Sequence, residues 1–388
     1  MDINIIASTK MNEITPKEEF DMFGGKSAGV CYMSSTFNDL INEDVEKTKR
    51  RINQTKSSGH HSVYEHSNFS LYLNGVPKIV AMILNNEKQY STSEKSGRYT
   101  IMKLSDREQV IYNKWLEIFR NRITKMYKAD YPTFFSDSRI EKLAQENARY
   151  LTSVFTPVSL IYTTNYRQFN YLIAVIDKQI AKENKTPFEE KLNPYLEELV
   201  EKMKALPYYD EILSRNEKCR SLSLFAGDNK VEEYFGDVYA TTYKASFAEL
   251  AQAQRHRTLS YNMRICDGEF YVPEIIRDSE SFTELWLSDL KDLKDNYPHA
   301  LLLEINEMGT LDNFILKLKE RKCTFAQLEI NKVTIETLKK YEHALRMKVH
   351  PRAEEIMQYT KGSRCTFPDY KCTAPCGFAL GINESRKI

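Results

Sequence analysis

Residues 245–263, ASFAELAQAQRHRTLSYNM, combine a short apolar helix with a cluster of cations. The pattern predicts a helix over residues 245–254, and the chain then runs directly into Arg255-His256-Arg257. Guanidinium groups match phosphate or carboxylate with two parallel hydrogen bonds, so the cluster indicates an anion site. The alternative is a solvated helix C-terminus, where the helix dipole favours cations.

The first half of the chain contains a similar order of elements. Residues 67–73, SNFSLYL, alternate polar and apolar side chains, which predicts a half-buried strand. Residues 76–84 are apolar enough for a buried helix, and the polar stretch NEKQYSTSEKSGRY follows at 86–99. The two polar clusters start at 86 and 255, 169 residues apart, which predicts a weak internal repeat.

The stretch at 86–99 has the features of a ligand loop. Gly97 lets a backbone approach a ligand closely, and Ser96 offers a hydroxyl group. Arg98 presents a fork for phosphate, and the Glu94 carboxylate can accept a donor from a base edge or a ribose. The alternative is an ordinary surface turn.

Residues 59–66, GHHSVYEH, place three histidines and a glutamate within eight positions. One interpretation is a zinc site with His61 and Glu65, or with His60 and a neighbour. The flanking sequence predicts a loop entering a strand, and not the helix that carries zinc in the HExxH proteases. Polar contacts to a ligand, or local capping of the backbone, remain as alternatives.

The chain has seven cysteines, an odd number that favours reduced thiols over a disulfide framework. Cys365, Cys372 and Cys376 lie within twelve residues among Pro and Gly, which predicts a zinc site. Cys323 is the expected fourth ligand, with Cys266 or a histidine as the alternative. A set of free thiols in a tail is the competing interpretation.

Composition narrows the class of protein. The 388 residues suffice for two modest domains, and 41% hydrophobic with 28% charged residues is typical of a globular chain. The formal net charge of +1 argues against binding nucleic acid through a global field. No apolar run reaches the length of a membrane span, and the N-terminus lacks a signal-peptide pattern. We therefore expect a cytoplasmic protein without membrane or nucleic-acid partners.

Helices dominate the pattern, with a few strands in each half, so the expected fold class is α+β. The likeliest internal boundary is Pro207 and the polar stretch that follows it to Asn216. Strands are expected at residues 219–226 and 236–243. The expected helices are residues 42–56, 107–127, 138–153, 163–180, 188–205, 281–295, 310–321, 326–349 and 351–359.

Together these motifs resemble the flavin-dependent thymidylate synthases. That family combines G-H-x-S-x-x-E-H with R-H-R-x-x-S-x-x-x-x-S-x-R-Y. The first half keeps GHHSVYEH and the end of the second motif, but Asn86-Glu87-Lys88 stand where R-H-R belongs. The second half keeps the beginning of the motif, and the retained residues are Gln252, Arg255, His256, Arg257 and Ser260.

Further motifs extend the resemblance. Residues 146–149 and 165–167 look like the family's E-x-A-R and N-x-R helices. Residues 326–330, AQLEI, look like its A-Q-W-E-I helix, with Arg321 ahead of it. Some members of the family also carry cysteines before this helix and at the C-terminus, which supports Cys323 as a zinc ligand.

The resemblance implies two tandem, partly degenerate copies of one domain, related by a pseudo-twofold axis. The first copy would cover residues 1–210, and the second would cover residues 211–388 with a zinc-binding tail. Because the family is usually a homotetramer with shared sites, we expect a homodimer that forms a pseudo-tetramer. The R-H-R element of one copy would then meet the S-G-R loop of another in a composite site.

The implied reaction is methylation of dUMP at C5 to dTMP, with FAD, NADPH and 5,10-methylenetetrahydrofolate. The implied catalytic residues are Arg255, His60 and Arg167. The implied cofactor contacts are Ser62, Glu65, Arg255, His256, Arg257, Arg321 and Gln327. The implied substrate contacts are Gln252, Glu94, Ser96, Gly97, Arg98 and Arg167. Two alternatives remain: C5 modification of another pyrimidine nucleotide, and a catalytically inactive paralogue that binds nucleotide or flavin.

Overall fold

The architecture is seen in a computed structural model. It describes residues 1–10, 16–95, 97, 103–215, 220–226, 232–373, 376 and 386–388. Contacts divide the chain into two units, each built from two segments. Unit 1 consists of residues 1–95 and 157–223, and unit 2 consists of residues 96–156 and 224–388. This division differs from a boundary at 210, because residues 96–156 group with the second unit and residues 211–223 with the first.

Both units contain helices and strands, in agreement with a mixed helix-and-sheet fold. The strands are β1 (Asp2–Ser8), β2 (Asn68–Pro77), β3 (Ser91–Glu94), β4 (Pro157–Asn165), β5 (Tyr234–Phe235), β6 (Val238–Ser246), β7 (Ser260–Phe270) and β8 (Leu301–Thr310). The helices of unit 1 are α1 (Pro16–Tyr32), α2 (Phe37–Ile41), α3 (Val45–Ser57), α4 (Lys78–Leu84), α7 (Tyr166–Ile180), α8 (Pro187–Lys204) and α9 (Glu211–Ser214). The helices of unit 2 are α5 (Asp106–Ile123), α6 (Asp137–Ala148), α10 (Phe247–Ala253), α11 (Glu280–Asp292), α12 (Leu311–Arg321), α13 (Leu328–Met347) and α14 (Ala353–Met357).

Each unit contains a four-stranded antiparallel sheet, and the two sheets have the same strand order. Unit 1 has the order β1-β2-β4-β3, and unit 2 has the order β5-β6-β8-β7. In both sheets a short helix follows the second strand, α4 after β2 and α10 after β6. A longer helix follows the fourth strand, α7 after β4 and α12 after β8. Positions in unit 1 can therefore be matched with positions in unit 2 by counting residues from the ends of corresponding strands.

Alternation along the strands builds the core of unit 1. Phe69, Leu71 and Leu73 of β2 are buried, while the residues between them are more exposed. Phe69 packs on Tyr208 with ring centroids 4.3 Å apart. Burial of such side chains contributes roughly 1.5–3 kcal/mol each. The alternating pattern at 67–73 therefore predicted this strand correctly.

Unit 2 has its own aromatic core. Trp115 of α5 and Trp286 of α11 are both fully buried, and their rings meet edge to face at 4.8 Å. The Trp115 indole N–H donates to Asp289 at 2.6 Å, which satisfies its buried polar atom. None of the described helices is long and apolar enough to cross a lipid bilayer.

Several predicted elements are confirmed with small shifts, among them α3, α5, α6, α8 and α10 to α14. The predicted strand at 219–226 is wrong, because Ser223–Phe225 form a 3₁₀ turn. The predicted helix at 163–180 begins only at Tyr166, because residues 157–165 form β4. Strands β7 and β8 were also missed, and residues 86–99, taken as a loop, contain β3.

The mixed composition of residues 1–30 and the pair Gly24-Gly25 predict a turn-rich segment, but Pro16–Tyr32 form helix α1, although glycine in a helix interior costs about 1 kcal/mol relative to alanine. The structure explains the glycines by close packing against α3 and α2. A Cβ atom on Gly25 would lie 2.6 Å from Cγ1 of Ile52, and one on Gly29 would lie 2.6 Å from Cδ2 of Leu40. The helices pack tightly because these positions carry no side chain.

Candidate functional site

A cleft of about 860 Å³ lies within unit 1 and is lined by the GHHSVYEH motif. Gly59, His61 and Glu65 contribute from the motif, and Asn165 and Arg167 contribute from the start of α7. This volume falls within the range of ligand pockets for nucleotides and cofactors. Two groups of residues that the sequence singled out separately thus share one cleft.

The motif reaches the cleft because α3 ends immediately before it. Gly59 adopts φ +77°, a conformation that other residues rarely take, and nothing lies within 4 Å of the position of its missing Cβ. The His60 N–H then donates to the Thr55 carbonyl at 2.9 Å, and residues His61–Glu65 form a 3₁₀ turn. Tyr64 anchors this turn in the core through a hydrogen bond to Thr55 at 2.8 Å.

Glu65 and Arg167 form an ion pair in the cleft. Arg167 stands in the first turn of α7, whose N-terminus is capped by Asn165 accepting the Gln168 N–H at 2.7 Å. Both charged side chains are roughly 40% exposed. An ion pair at this exposure is worth about 0.2–1 kcal/mol, so an anionic ligand can compete for the guanidinium at low cost.

Cations line the cleft more densely than carboxylates do. The lining contains five cationic residues and one acidic residue, Glu65. The cationic residues are Lys56, Lys88, Arg167, Arg215 and Arg220. Lys56 is already paired with Asp21 at 2.6 Å and with Asp210 at 2.8 Å, so it acts mainly within the protein. The remaining cations make the cleft suitable for an anion.

Other predicted residues of the first half lie outside this lining. The His60 ring contacts Tyr32, whose hydroxyl group lies 3.3 Å from Nδ1, and Ser62 is exposed. Glu94 accepts from Lys78 at 2.6 Å and from Asn85 at 3.3 Å. Ser96 and Arg98 lie outside the described residues. Gly97 is described, and the chain turns there.

In unit 2 the predicted residues Gln252 and Gln327 meet in a buried network. Gln252 Nε2 donates to Gln327 Oε1, which also accepts from Arg149. Gln327 Nε2 donates to the Tyr150 hydroxyl, and that hydroxyl donates to Glu329 at 2.6 Å. The structure therefore joins three motifs that the sequence identified separately: E-x-A-R, Q-x-x-R-H-R and AQLEI.

The R-H-R element follows α10 in a tight turn, where the His256 N–H donates to the Ala253 carbonyl at 2.9 Å. Arg255 and Arg257 are exposed. The His256 ring accepts from Arg321 Nε at 2.7 Å, so its Nε2 carries no proton. Burial, together with Arg321, lowers the pKa of His256 to about 2. The imidazole is therefore neutral, which corrects the expectation that it adds to the cationic cluster.

A buried charged cluster in unit 2 was not foreseen. Lys317 and Glu307 pair at 2.6 Å with both side chains fully buried, and Tyr239 donates to Glu307 at 2.6 Å. Glu249 is also fully buried on α10, and neither carboxylate oxygen has a hydrogen-bond partner among the described residues. Burial raises the pKa of Glu249 to about 8. No sequence signal distinguishes these residues from charged residues on a helix surface.

The four predicted zinc ligands belong to one region of unit 2. The Arg364 N–H donates to the Lys322 carbonyl at 2.7 Å, which brings Cys365 near Cys323 in the fold. Burial, and the nearby thiols of Cys372, Cys376 and Cys323, raise the pKa of Cys365. Across the described ranges, no group of three His, Cys, Asp or Glu side chains has the arrangement of a metal site.

Comparison with known proteins supports the resemblance. Residues 22–192 match the model of the family described as thymidylate synthase complementing protein. The flavin-dependent thymidylate synthase of Pyrococcus furiosus is 22% identical over 156 residues, which is 37% of this chain and 59% of that protein. The chain thus spans about three fifths of the length of the curated relative it matches.

Two solved structures give weaker likenesses. One is the UMP/dUMP methylase PolB of Streptomyces cacaoi bound with 5-Br dUMP, with 19% identity, a TM-score of 0.33, and coverage of 52% of this chain and 87% of that one. The other is thymidylate synthase X of Helicobacter pylori with FAD and dUMP, with 14% identity, a TM-score of 0.34, and coverage of 56% and 100%. The motifs of the first half and the family match over residues 22–192 agree, and this part of the chain is similar to the flavin-dependent thymidylate synthases.

Proposed function

We propose that the chain methylates C5 of dUMP to form dTMP, with methylenetetrahydrofolate as the one-carbon donor and NADPH as the reductant of a bound FAD. The observation that supports this most directly is the cleft in unit 1, which collects Gly59, His61, Glu65 and Arg167. Among these residues, the family resemblance assigns Glu65 to cofactor binding and Arg167 to catalysis and substrate binding. The curated relative and the solved neighbours are named for the same chemistry.

The cleft residues suit an anionic flavin nucleotide in size and charge. Arg167 and the other cations favour phosphate, while Asn165 and Gln168 offer polar side chains at the same cleft. Tyr171 adds an aromatic ring to the lining. When bound, the reduced flavin supplies the electrons that convert the transferred one-carbon unit into a methyl group. The protein's own residues bind and orient the nucleotide, and the Glu65 carboxylate holds the Arg167 guanidinium at the cleft.

We further propose that the chain is a tandem duplication, residues 1–210 and 211–388, which assembles as a homodimer. The shared strand order and the matching helices after the second and fourth strands support this proposal. Arg255 and Arg257 of one copy would complete the site of a first copy, in which Asn86-Glu87-Lys88 replace R-H-R. Ser62, His60, Glu94 and the 96–98 loop would then contact ligand in the assembled protein.

Each chain would form one working cleft, because the second copy has lost the equivalent of Arg167. Arg167 is the second residue of α7, and Asp312 is the second residue of α12. Asp312 pairs with Arg352 at 2.5 Å. A carboxylate at this position repels phosphate, so the second copy would contribute R-H-R and its supporting network, and no nucleotide cleft of its own.

Colour tests this proposal directly. The purified chain, incubated with FAD and desalted, is expected to retain flavin and to show the flavin bands in the visible spectrum. Growth of a thymidine auxotroph carrying the gene then distinguishes dUMP methylation from modification of another pyrimidine nucleotide. A protein that binds neither FAD nor dUMP would exclude the proposed reaction, and a protein that binds them without rescue would indicate an inactive paralogue.

Arg255→Ala is expected to weaken FAD or dUMP binding by about 2 kcal/mol, or roughly 30-fold, the scale of a charged hydrogen bond. Titration calorimetry provides the measurement. Arg264→Ala is the matched control, since Arg264 is also exposed but pairs with Glu304 on the neighbouring strand β8. Equal affinities for the wild type and Arg255→Ala would remove Arg255 from the site.

We also propose that Cys323, Cys365, Cys372 and Cys376 bind one structural zinc ion. The support is their common region in unit 2, and closure of the site requires the thiols to move together around the metal. Metal analysis of protein purified without chelator is expected to give about one zinc per chain, and Cys372→Ser to lower that value. Absence of zinc from the untreated protein would leave four free thiols.

A further inference from the structure

One wall of the cleft comes from a segment beyond the family match. Ile212, Arg215 and Arg220 line the same cleft as Glu65 and Arg167, although the match ends at residue 192. The sequence predicts an internal boundary at residues 207–216, which include Ile212 and Arg215, and a strand at 219–226, which includes Arg220. A ligand in this cleft therefore meets groups that the family motifs do not account for.

The wall is held in place by Asp210, which is buried at the start of α9. Its Oδ1 accepts the backbone N–H groups of Ile212 at 3.0 Å and Leu213 at 2.9 Å. Its Oδ2 accepts from Lys56 at 2.8 Å, and its own N–H donates to Asn170 at 2.8 Å. Because these contacts tie α9 to α3 and α7, the position of Arg215 beside the cleft follows from the core of unit 1.

A second buried carboxylate holds Arg220. Glu87 is fully buried and accepts from Arg220 Nη2 at 2.7 Å. It also accepts the Ser223 N–H at 2.6 Å and the Ser223 hydroxyl at 2.8 Å. Arg220 Nη1 also donates to the Ser221 carbonyl at 3.2 Å, so both ends of the guanidinium are held while its side chain, 50% exposed, lines the cleft. This is the arrangement of a pre-positioned anion binder.

Lys88 and Arg215 complete the charge on this wall. Lys88 follows Glu87 directly and also lines the cleft. Burial lowers the pKa of Lys88, and a bound anion would favour its charged form. Arg215 pairs with Glu211 one turn away on the same helix, and both side chains are largely exposed. Such an exposed pair contributes little to stability and yields easily to a ligand phosphate.

We propose that Arg215, Arg220 and Lys88 form a diphosphate subsite, for a ligand whose other end reaches Arg167. Two guanidinium forks suit two adjacent phosphate groups, and the lysine adds a third cation. The ligand class is either a dinucleotide or a nucleoside diphosphate. The identification of the dinucleotide as FAD rests on the proposed function, whereas the subsite itself rests on the cleft.

Titration calorimetry on the full chain tests the subsite with inorganic pyrophosphate against orthophosphate. The wild type is expected to bind pyrophosphate at least tenfold more tightly, and Arg215→Gln/Arg220→Gln to lose most of that preference. Arg220→Gln leaves Glu87 buried without its partner and can disturb the fold. Arg215→Gln alone is therefore the second variant, and its affinity for pyrophosphate is expected to fall roughly 3- to 10-fold. Arg50→Gln, an exposed arginine of α3 outside the cleft lining, is the matched control.

Two ligand pairs distinguish the sources of the diphosphate. FAD against FMN tests a dinucleotide, and dUDP against dUMP tests a nucleoside diphosphate. A variant that weakens FAD but spares FMN supports the first, and one that weakens dUDP but spares dUMP supports the second. Equal binding of pyrophosphate and orthophosphate, or unchanged pyrophosphate binding in Arg215→Gln and the double variant, overturns the subsite. Failure of the chain to bind any flavin overturns the proposed reaction. The comparison of pyrophosphate with orthophosphate then decides whether the subsite exists.

Discussion

Lys56→Met is expected to lower the free energy of unfolding by about 3–5 kcal/mol, the cost of removing one partner from a buried ion pair. The Lys56 ammonium lies 2.6 Å from Asp21 and 2.8 Å from Asp210, and both it and Asp210 are almost fully buried. Without the lysine, the two carboxylates remain close together. The Tyr166 hydroxyl lies 3.3 Å from each of them, and the half-exposed Lys17 stays 3.3 Å from Asp210. Urea denaturation followed by circular dichroism measures the change.

Lys49→Met provides the matched control for this variant. Lys49 lies on the same helix and pairs with Glu46 at 3.0 Å, but both side chains are mostly exposed. Its loss is expected to change the free energy of unfolding by less than about 0.5 kcal/mol. The Lys56→Met deficit should also shrink in acid, because protonation removes the unpaired carboxylate charges. A deficit below 1 kcal/mol at neutral pH would show that the two carboxylates are stabilised in another way.

We expect Lys56→Met to affect the cleft as well as the stability of the fold. Lys56 and Gly59 lie at the end of α3, and the Lys56 carbonyl contacts His61 Nε2 at 3.0 Å. Asp210 organises α9, and Arg215, which follows this helix, lines the same cleft. Loss of the ammonium therefore loosens both walls, and we expect ligand affinity to fall together with stability.

The sequence analysis selected residues of the cleft by their side-chain chemistry, and it did not predict which of them lie next to one another. Glu65 and Arg167 were chosen from separate motifs, and their meeting in one cleft follows from the pairing of β2 with β4. Strand β4 itself was missed because its residues run into α7 without a glycine or proline to mark the change of period. Because β4 was not predicted, the sequence did not show that the two motifs lie side by side.

Buried charges were the second kind of feature that the pattern could not reveal. Lys56 belongs to a helix in which six of thirteen residues, Lys56 included, are charged, so periodicity alone treats it as solvated. The polar composition of residues 207–216 predicts a boundary, yet Asp210 is one of the most buried carboxylates among the described residues of unit 1. Whether such a residue faces water or an ion-pair partner depends on tertiary contacts that its neighbours in the sequence do not encode.

Glu249→Gln is expected to flatten the pH dependence of stability between about pH 4.5 and pH 8. Burial raises the pKa of Glu249 to about 8 in the folded chain. Lys317 and Arg321 on α12 oppose this rise, while Glu329 on α13 and Glu307 on β8 add to it. Since the folded pKa lies above the unfolded value of 4.5, the contribution to stability is fully present below pH 4.5 and is lost as the pH rises through 8.

The slope from this one group reaches up to about 1.4 kcal/mol per pH unit, so its removal is measurable against the other titrating groups. Urea denaturation at several pH values should therefore show that Glu249→Gln gains on the wild type as the pH rises. Glu284→Gln, an exposed glutamate of α11, should follow the wild-type curve. Parallel curves for the wild type and Glu249→Gln would mean that the carboxylate is ionised in the folded chain and compensated by Lys317. Because Glu249 lies three residues before Gln252 on α10, a neutral carboxyl group here keeps an uncompensated charge away from the helix that presents the R-H-R element.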